Sequence, residues 1–137
     1  MSSLSPVAPS PTAAPTKSLV TALDTATFGS AITGPGIAII DFSTVWCGPC
    51  RVFKPVFVAA AGRHADLRFF TVDSDDEPAL AIALDVRAAP TLVAFRDGVL
   101  VHRQAGALSN AQLEKLIDRL RSLDVSAYRA QPQPQLP

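Results

Sequence analysis

The chain has 137 residues, 48% apolar and 18% charged, with 12 basic and 12 acidic side chains that cancel to a formal net charge of zero. That length suits one domain with its own core. Balanced charge without a basic stripe leaves no electrostatic footprint for nucleic acid, and no run approaches the ~18 apolar residues of a membrane span.

Met1 to Thr16 is built of Ser, Pro, Ala and Thr, with Pro6, Pro9, Pro11 and Pro15 among them. Such a stretch buries too little apolar surface to offset its ordering entropy, so a disordered tail is expected over residues 1–16. It lacks the apolar centre of a secretory signal, which makes the cytoplasm the expected location. Leu19 to Leu23 is a short strand candidate. Asp24 then caps a helix through Ile32, stopped by Gly34-Pro35-Gly36. Ile37 to Phe42 is an apolar, β-branched run, the pattern of a strand buried on both faces.

A helix is expected from Cys47 to Arg63, kinked at Pro55. Leu67 to Val72 reads as another buried strand. Asp75 or Asp76 is the expected cap of a further helix, with Pro78 near its start and Leu84 near its end. Thr91–Phe95 and Val99–Arg103 form a hairpin around Arg96-Asp97-Gly98. Ser109 and Gln112 make a capping box ahead of Leu113, Leu116, Ile117 and Leu120 at helical spacing. The Pro- and Gln-rich end, residues 124–137, is expected to be a second disordered tail. The element order describes an α/β domain, a mixed sheet with helices on both faces, over residues 17–123.

Cys47 and Cys50 are the only cysteines. They follow the central strand, where such sheets place their chemistry. At a helix start the unpaired N–H groups and the dipole favour a thiolate, so Cys47 is the expected nucleophile. Cys50, one turn further in, is the expected resolving thiol. Zinc is the competing use of a C-x-x-C unit. It needs four ligands, and only His64 and His102 remain, without the usual spacing. No metal is therefore expected. Asp41 interrupts the buried run before the cysteines. Burial disfavours its charge and raises its pKa, as suits a proton acceptor for Cys50; a solvent-facing strand end is the alternative. Taken alone, Pro90 reads as a trans proline opening a strand.

In order and spacing, Asp41-Phe42, Trp46-Cys47-Gly48-Pro49-Cys50-Arg51, Pro55, Ala89-Pro90-Thr91 and Gly106-Ala107-Leu108-Ser109 resemble the thioredoxin family. The resemblance implies the thioredoxin fold and reduction of protein disulfides by dithiol exchange. It implies a cis Pro90 and a shallow substrate groove from Trp46, Gly48, Pro49, Ala89, Pro90, Gly106 and Ala107. Electrons would come from NADPH through a flavin-containing thioredoxin reductase. No cofactor would be held, clients would be disulfide-bearing proteins, and the chain would be a monomer. An oxidant or isomerase of the same fold and a redox-sensing binding subunit are the alternatives. Two positions depart from the family: Ser43 replaces a second Trp, and Phe69 stands where a Lys is expected to face Asp41.

Overall fold

The computed structural model describes residues 19–137; the tail expected over residues 1–16 lies outside them. The elements are β1 (Val20–Ala22), α1 (Thr25–Ile32), β2 (Ile37–Ser43), α2 (Gly48–Arg63), β3 (Arg68–Asp73), α3 (Pro78–Ala83), β4 (Thr91–Arg96), β5 (Val99–Ala105), α4 (Asn110–Ser122) and α5 (Ser126–Arg129). The strands make a five-stranded sheet in the order β1-β3-β2-β4-β5. β3 runs parallel to β1 and β2, whereas β4 is antiparallel to β2 and β5. This is the expected mixed α/β sheet, with β2 at its centre.

Strand alternation divides the interior in two. Ile37 and Ile39 of β2 join Phe69, Leu92 and Ala94 beneath α2 and α4, which contribute Phe53, Phe57, Leu113 and Ile117. Ala38, Ile40 and Phe42 point the other way, joining Val72, Val93 and Phe95 beneath α1 and α3 with Phe28 and Leu80. Helices cover both faces, so β2 is buried along nearly its whole length.

Local chemistry fixes the ends. Asp24 Oδ1 accepts from the Thr27 amide at 2.9 Å, and Thr27 Oγ1 accepts from the Asp24 amide at 3.0 Å, a reciprocal cap for α1. Arg68 of β3 donates to the carbonyls of Ala31 in the last turn of α1 and of Thr33 and Pro35 beyond it, at 2.7, 3.2 and 3.2 Å. Asp97 and Gly98, at φ 54° and 80°, turn β4 into β5. Positive φ at both residues is the twist-matched hairpin turn. Ser109 and Gln112 form the expected box at α4. α2 is continuous across Pro55.

Two expectations are corrected. Neither Asp75 nor Asp76 caps α3; their amides donate to Asp73 Oδ1 in the preceding turn. Glu77 is the N-cap but makes no side-chain cap bond. Its Oε1 accepts from the Thr25 amide and hydroxyl, both at 2.9 Å, and so places a carboxylate at the N-terminus of α1.

Nor are residues 124–137 free of structure. They contain α5, Val125 and Tyr128 pack on the α2/α4 face, and Leu136 packs on the α1/α3 face. Composition argued for disorder because this segment cannot build a core. It instead adds three apolar side chains to cores that already exist.

Candidate active site

β2 delivers its chain to one end of the sheet, and Thr44, Val45 and Trp46 lead into α2. Cys47 is the N-cap of α2, with Pro49 in the first turn. That turn tolerates proline because its N–H would lack an intrahelical partner. Cys47 Sγ accepts from the Cys50 amide at 3.1 Å. Cys47 and Cys50 are joined as a disulfide with Cα atoms 5.2 Å apart. The sulfurs differ in access: Cys47 is half-buried, whereas Cys50 is only 5% exposed.

The strand β4 supplies the neighbouring wall. The Ala89–Pro90 peptide is cis, and the Ala89 carbonyl oxygen lies 3.2 Å from Cys47 Sγ. Gly106, at φ 102°, donates its amide to the Pro90 carbonyl at 2.8 Å. Ala89, Pro90 and Gly106 are thus drawn together beside Cys47, and Ala107 follows at the exposed rim. Trp46 stands 83% exposed, with Gly48 and Pro49 also exposed beside it.

Behind the sulfurs is a cavity of about 410 Å³, lined by Asp41, Ser43, Cys50, Lys54, Phe57 and Thr71 among others. Alternation along β2 turns Asp41 to the α2 face, at 4% exposure. Its Oδ1 has no hydrogen-bond partner. Burial pushes the Asp41 pKa from 3.8 up to about 7. The solvent-facing alternative for Asp41 is therefore excluded.

A family model, Thioredoxin, matches residues 19–119. The chain belongs to the thioredoxin family. It is 40% identical over 102 residues to a putative thioredoxin 2 of Streptomyces coelicolor, covering 74% of this chain and 76% of that one. It is 34% identical over 90 residues to a Gallus gallus thioredoxin, 66% of this chain and 82% of the relative. With thioredoxin H2-1 of Oryza sativa identity is 45% over 86 residues, 63% of this chain and 62% of the relative. The solved thioredoxin of Malassezia sympodialis superposes with a TM-score of 0.68 at 29% identity, covering 74% of this chain and 90% of that one. This thioredoxin-family chain is a thiol-disulfide oxidoreductase with a redox-active pair at Cys47 and Cys50.

The strand register corrects one expectation. Asp41 is paired with Thr71, and Phe69 lies across from Ile39. Phe69 is buried against Phe57, with ring centroids 5.3 Å apart. The position facing the acid is therefore Thr71, which also lines the cavity and donates its hydroxyl to the Asp41 carbonyl at 3.1 Å. Sequence spacing alone does not contain the offset between two parallel strands. The histidines stand elsewhere: His64 bonds Glu114 at 2.8 Å and His102 bonds Gln104 at 2.9 Å. No three His, Cys, Asp or Glu groups gather as a metal site among the described residues.

Three contributors were not anticipated. Val45 is 63% exposed beside Trp46, and Val52 is 69% exposed on α2. Both are apolar side chains left in solvent within five residues of Cys47 along the chain. Arg51 donates to the Val45 carbonyl at 3.3 Å and ties the loop to the first turn of α2. A β-branched residue in a loop was the available signal for Val45, because such positions usually carry turn-forming residues.

Proposed function

We propose that the chain reduces protein disulfides, with Cys47 attacking and Cys50 resolving. The unequal access of the two sulfurs carries this reading. In the reduced protein, Cys47 thiolate attacks one sulfur of a client disulfide. The client S–S bond breaks, one client sulfur leaves as thiolate, and a mixed disulfide forms. Cys50 loses its proton and attacks Cys47 sulfur, releasing the second client thiolate and closing the Cys47–Cys50 disulfide. The client gains two electrons and the chain loses two.

The helix start favours Cys47 as the anion. Asp41 shares its cavity with Cys50. With a pKa of about 7, Asp41 takes the Cys50 proton at neutral pH, directly or through water. Trp46, Gly48, Pro49, Ala89, Pro90, Gly106 and Ala107 form the client groove. An extended client backbone reaches Cys47 across it, and Val45 and Val52 widen its apolar margin.

The family relationship further supports a cycle in which NADPH and a thioredoxin reductase restore the dithiol, in the cytoplasm, with no cofactor held by the monomeric chain. No helix among the described residues is long and apolar enough to cross a membrane.

The decisive assay is insulin reduction by dithiothreitol. The chain is expected to accelerate it, with Cys47→Ser inactive and Cys50→Ser trapped as a mixed disulfide with the client. Absence of acceleration, or full activity of Cys47→Ser, refutes the reading. The potential is expected near about −270 mV; a value in the range of about −120 to −180 mV would mark an oxidant or isomerase instead.

A further inference from the structure

A second cavity, of about 250 Å³, opens next to Ala89. Ala89 belongs to two surfaces at once: its carbonyl oxygen lies 3.2 Å from Cys47 Sγ, and it lines the cavity. Val86 and Ala88 join it in an apolar wall, and Thr44, Ser74 and Asp75 supply a polar one, with Arg87 also on the lining. Small-molecule sites usually span about 300–1,000 Å³, so this volume suits a single side chain better.

The charged groups around it are unequally occupied. Arg87 already has a carboxylate: its Nε donates to Asp85 Oδ1 at 2.8 Å, and Arg103 approaches Asp85 Oδ2 at 3.6 Å. Asp75 uses its amide, which donates to Asp73 Oδ1 at 2.9 Å. Its carboxylate neither caps α3 nor makes a hydrogen bond or ion pair among the described residues. Asp73 and Asp76 lie close by in the chain, so the open charge on this side is negative. Ser74 Oγ is buried there without a partner, an acceptor left unused.

We propose that this cavity is a client side-chain subsite that takes a lysine or arginine two residues from the client's reacting cysteine, with Asp75 as the residue that selects it. The inference rests on the reading of Cys47 as the attacking thiol. In an extended client, residues two apart point to the same side, about 7 Å from one another. A client cysteine aimed at Cys47 therefore aims that neighbour at the wall to which Ala89 belongs. Lysine and arginine lay an aliphatic stem on apolar surface and keep a charged head at its edge. The stem fits against Val86, Ala88 and Ala89, and the head meets Asp75, with the Thr44 and Ser74 hydroxyls as further acceptors. An acidic client side chain finds Arg87 already paired and Asp75 repelling it.

The test measures kcat/KM, with dithiothreitol as the electron source, for three disulfide-linked peptide dimers. They carry Lys, Ala or Glu two residues to either side of the cysteine and are otherwise identical. Each rate is divided by that of dithiothreitol alone, because a nearby charge also changes the reactivity of the disulfide itself. At low salt the Lys peptide is expected to outrun the Ala peptide by about two- to fivefold, the worth of an exposed ion pair, and the Glu peptide to trail both. Asp75→Asn should erase that order and leave the Ala peptide unchanged, and Asp75→Lys should invert it. Asp76→Asn, outside the cavity lining, should preserve it. Equal normalised rates for the three peptides, an order that survives Asp75→Asn, or one that Asp76→Asn removes equally overturns the subsite. Failure to reduce any of the peptides, Ala included, overturns the reductase reading and the subsite with it.

Discussion

The two faces of β2 differ by one residue in phase and are put to different uses. Toward α1 and α3, Ala38, Ile40 and Phe42 are wholly enclosed by apolar neighbours. Toward α2 and α4, Ile37 and Ile39 are packed likewise, but the series ends at Asp41 and a cavity of about 410 Å³. A buried carboxyl without a partner on Oδ1 is a cost to stability. One face of the strand thus stabilises the sheet, and the other carries a destabilising acid to the sulfurs.

The largest expected effect tests the apolar face. Phe42 is fully buried and packs on Phe28, with centroids 6.2 Å apart. Phe42→Ala should cost about 3 to 5 kcal/mol in denaturant unfolding. A loss near zero would show that this face is not the stabilising one.

Asp41→Asn should do the reverse. An exposed carboxyl in the unfolded chain titrates near 3.8, whereas the folded one is pushed up to about 7. Between those values the folded chain still holds a proton that the unfolded chain has released. Stability therefore falls as pH rises from about 4 to about 7 and is level above, a total of about 4 kcal/mol at most. The Asn variant should lose this slope, matching the parent near pH 4 and exceeding it near pH 8. Resolution of the mixed disulfide should meanwhile slow by about 10²-fold or more, as expected when a proton acceptor is removed. Equal pH profiles for the two proteins would contradict the assignment of Asp41.

A third substitution sharpens the comparison within one face. Thr71→Lys sets a cation in the cavity, and the Asp41 midpoint in an NMR titration should fall by about 1 to 3 pH units. Phe69→Lys instead puts the charge among Phe57, Ile39 and Phe53, and should destabilise the chain. If Phe69→Lys moved the midpoint further than Thr71→Lys, the register account would fail.

The smallest effect lies at the far end of the sheet. Asp97→Ala removes the acceptor that the Gly36 amide holds at 2.7 Å and leaves an alanine at φ 54°. It should cost about 1 to 3 kcal/mol without changing the insulin assay.

Much of this arrangement was legible in the sequence because short-range rules generate it. β-branched runs marked the central strands, Ser109 and Gln112 marked α4, and Asp97-Gly98 marked the hairpin. The cysteine pair and its helix start followed from position alone. What escaped depends on relations between distant segments. The neighbour of Asp41 is set by parallel pairing of β2 with β3, an offset that spacing along the chain does not contain, so spacing points to Phe69 where the sheet brings Thr71. Glu77 caps a helix more than fifty residues earlier in the chain, bonding Thr25 rather than its own α3. Residues 124–137 look incapable of order in isolation, but Val125, Tyr128 and Leu136 find surfaces built by the rest of the molecule.

Arg68 has a consequence for the chemistry even though it lies away from the sulfurs. Its guanidinium gathers the carbonyls of Ala31, Thr33 and Pro35, and with them the loop that decides where β2 begins. Were β2 to enter the sheet one residue early or late, every side chain along it would change sides. Asp41 would then lie among the phenylalanines of the α1/α3 core, and Phe42 would fill the space behind Cys50. The clamp at the strand's entrance works as a ruler for its exit: it sets which side of the sheet receives the acid.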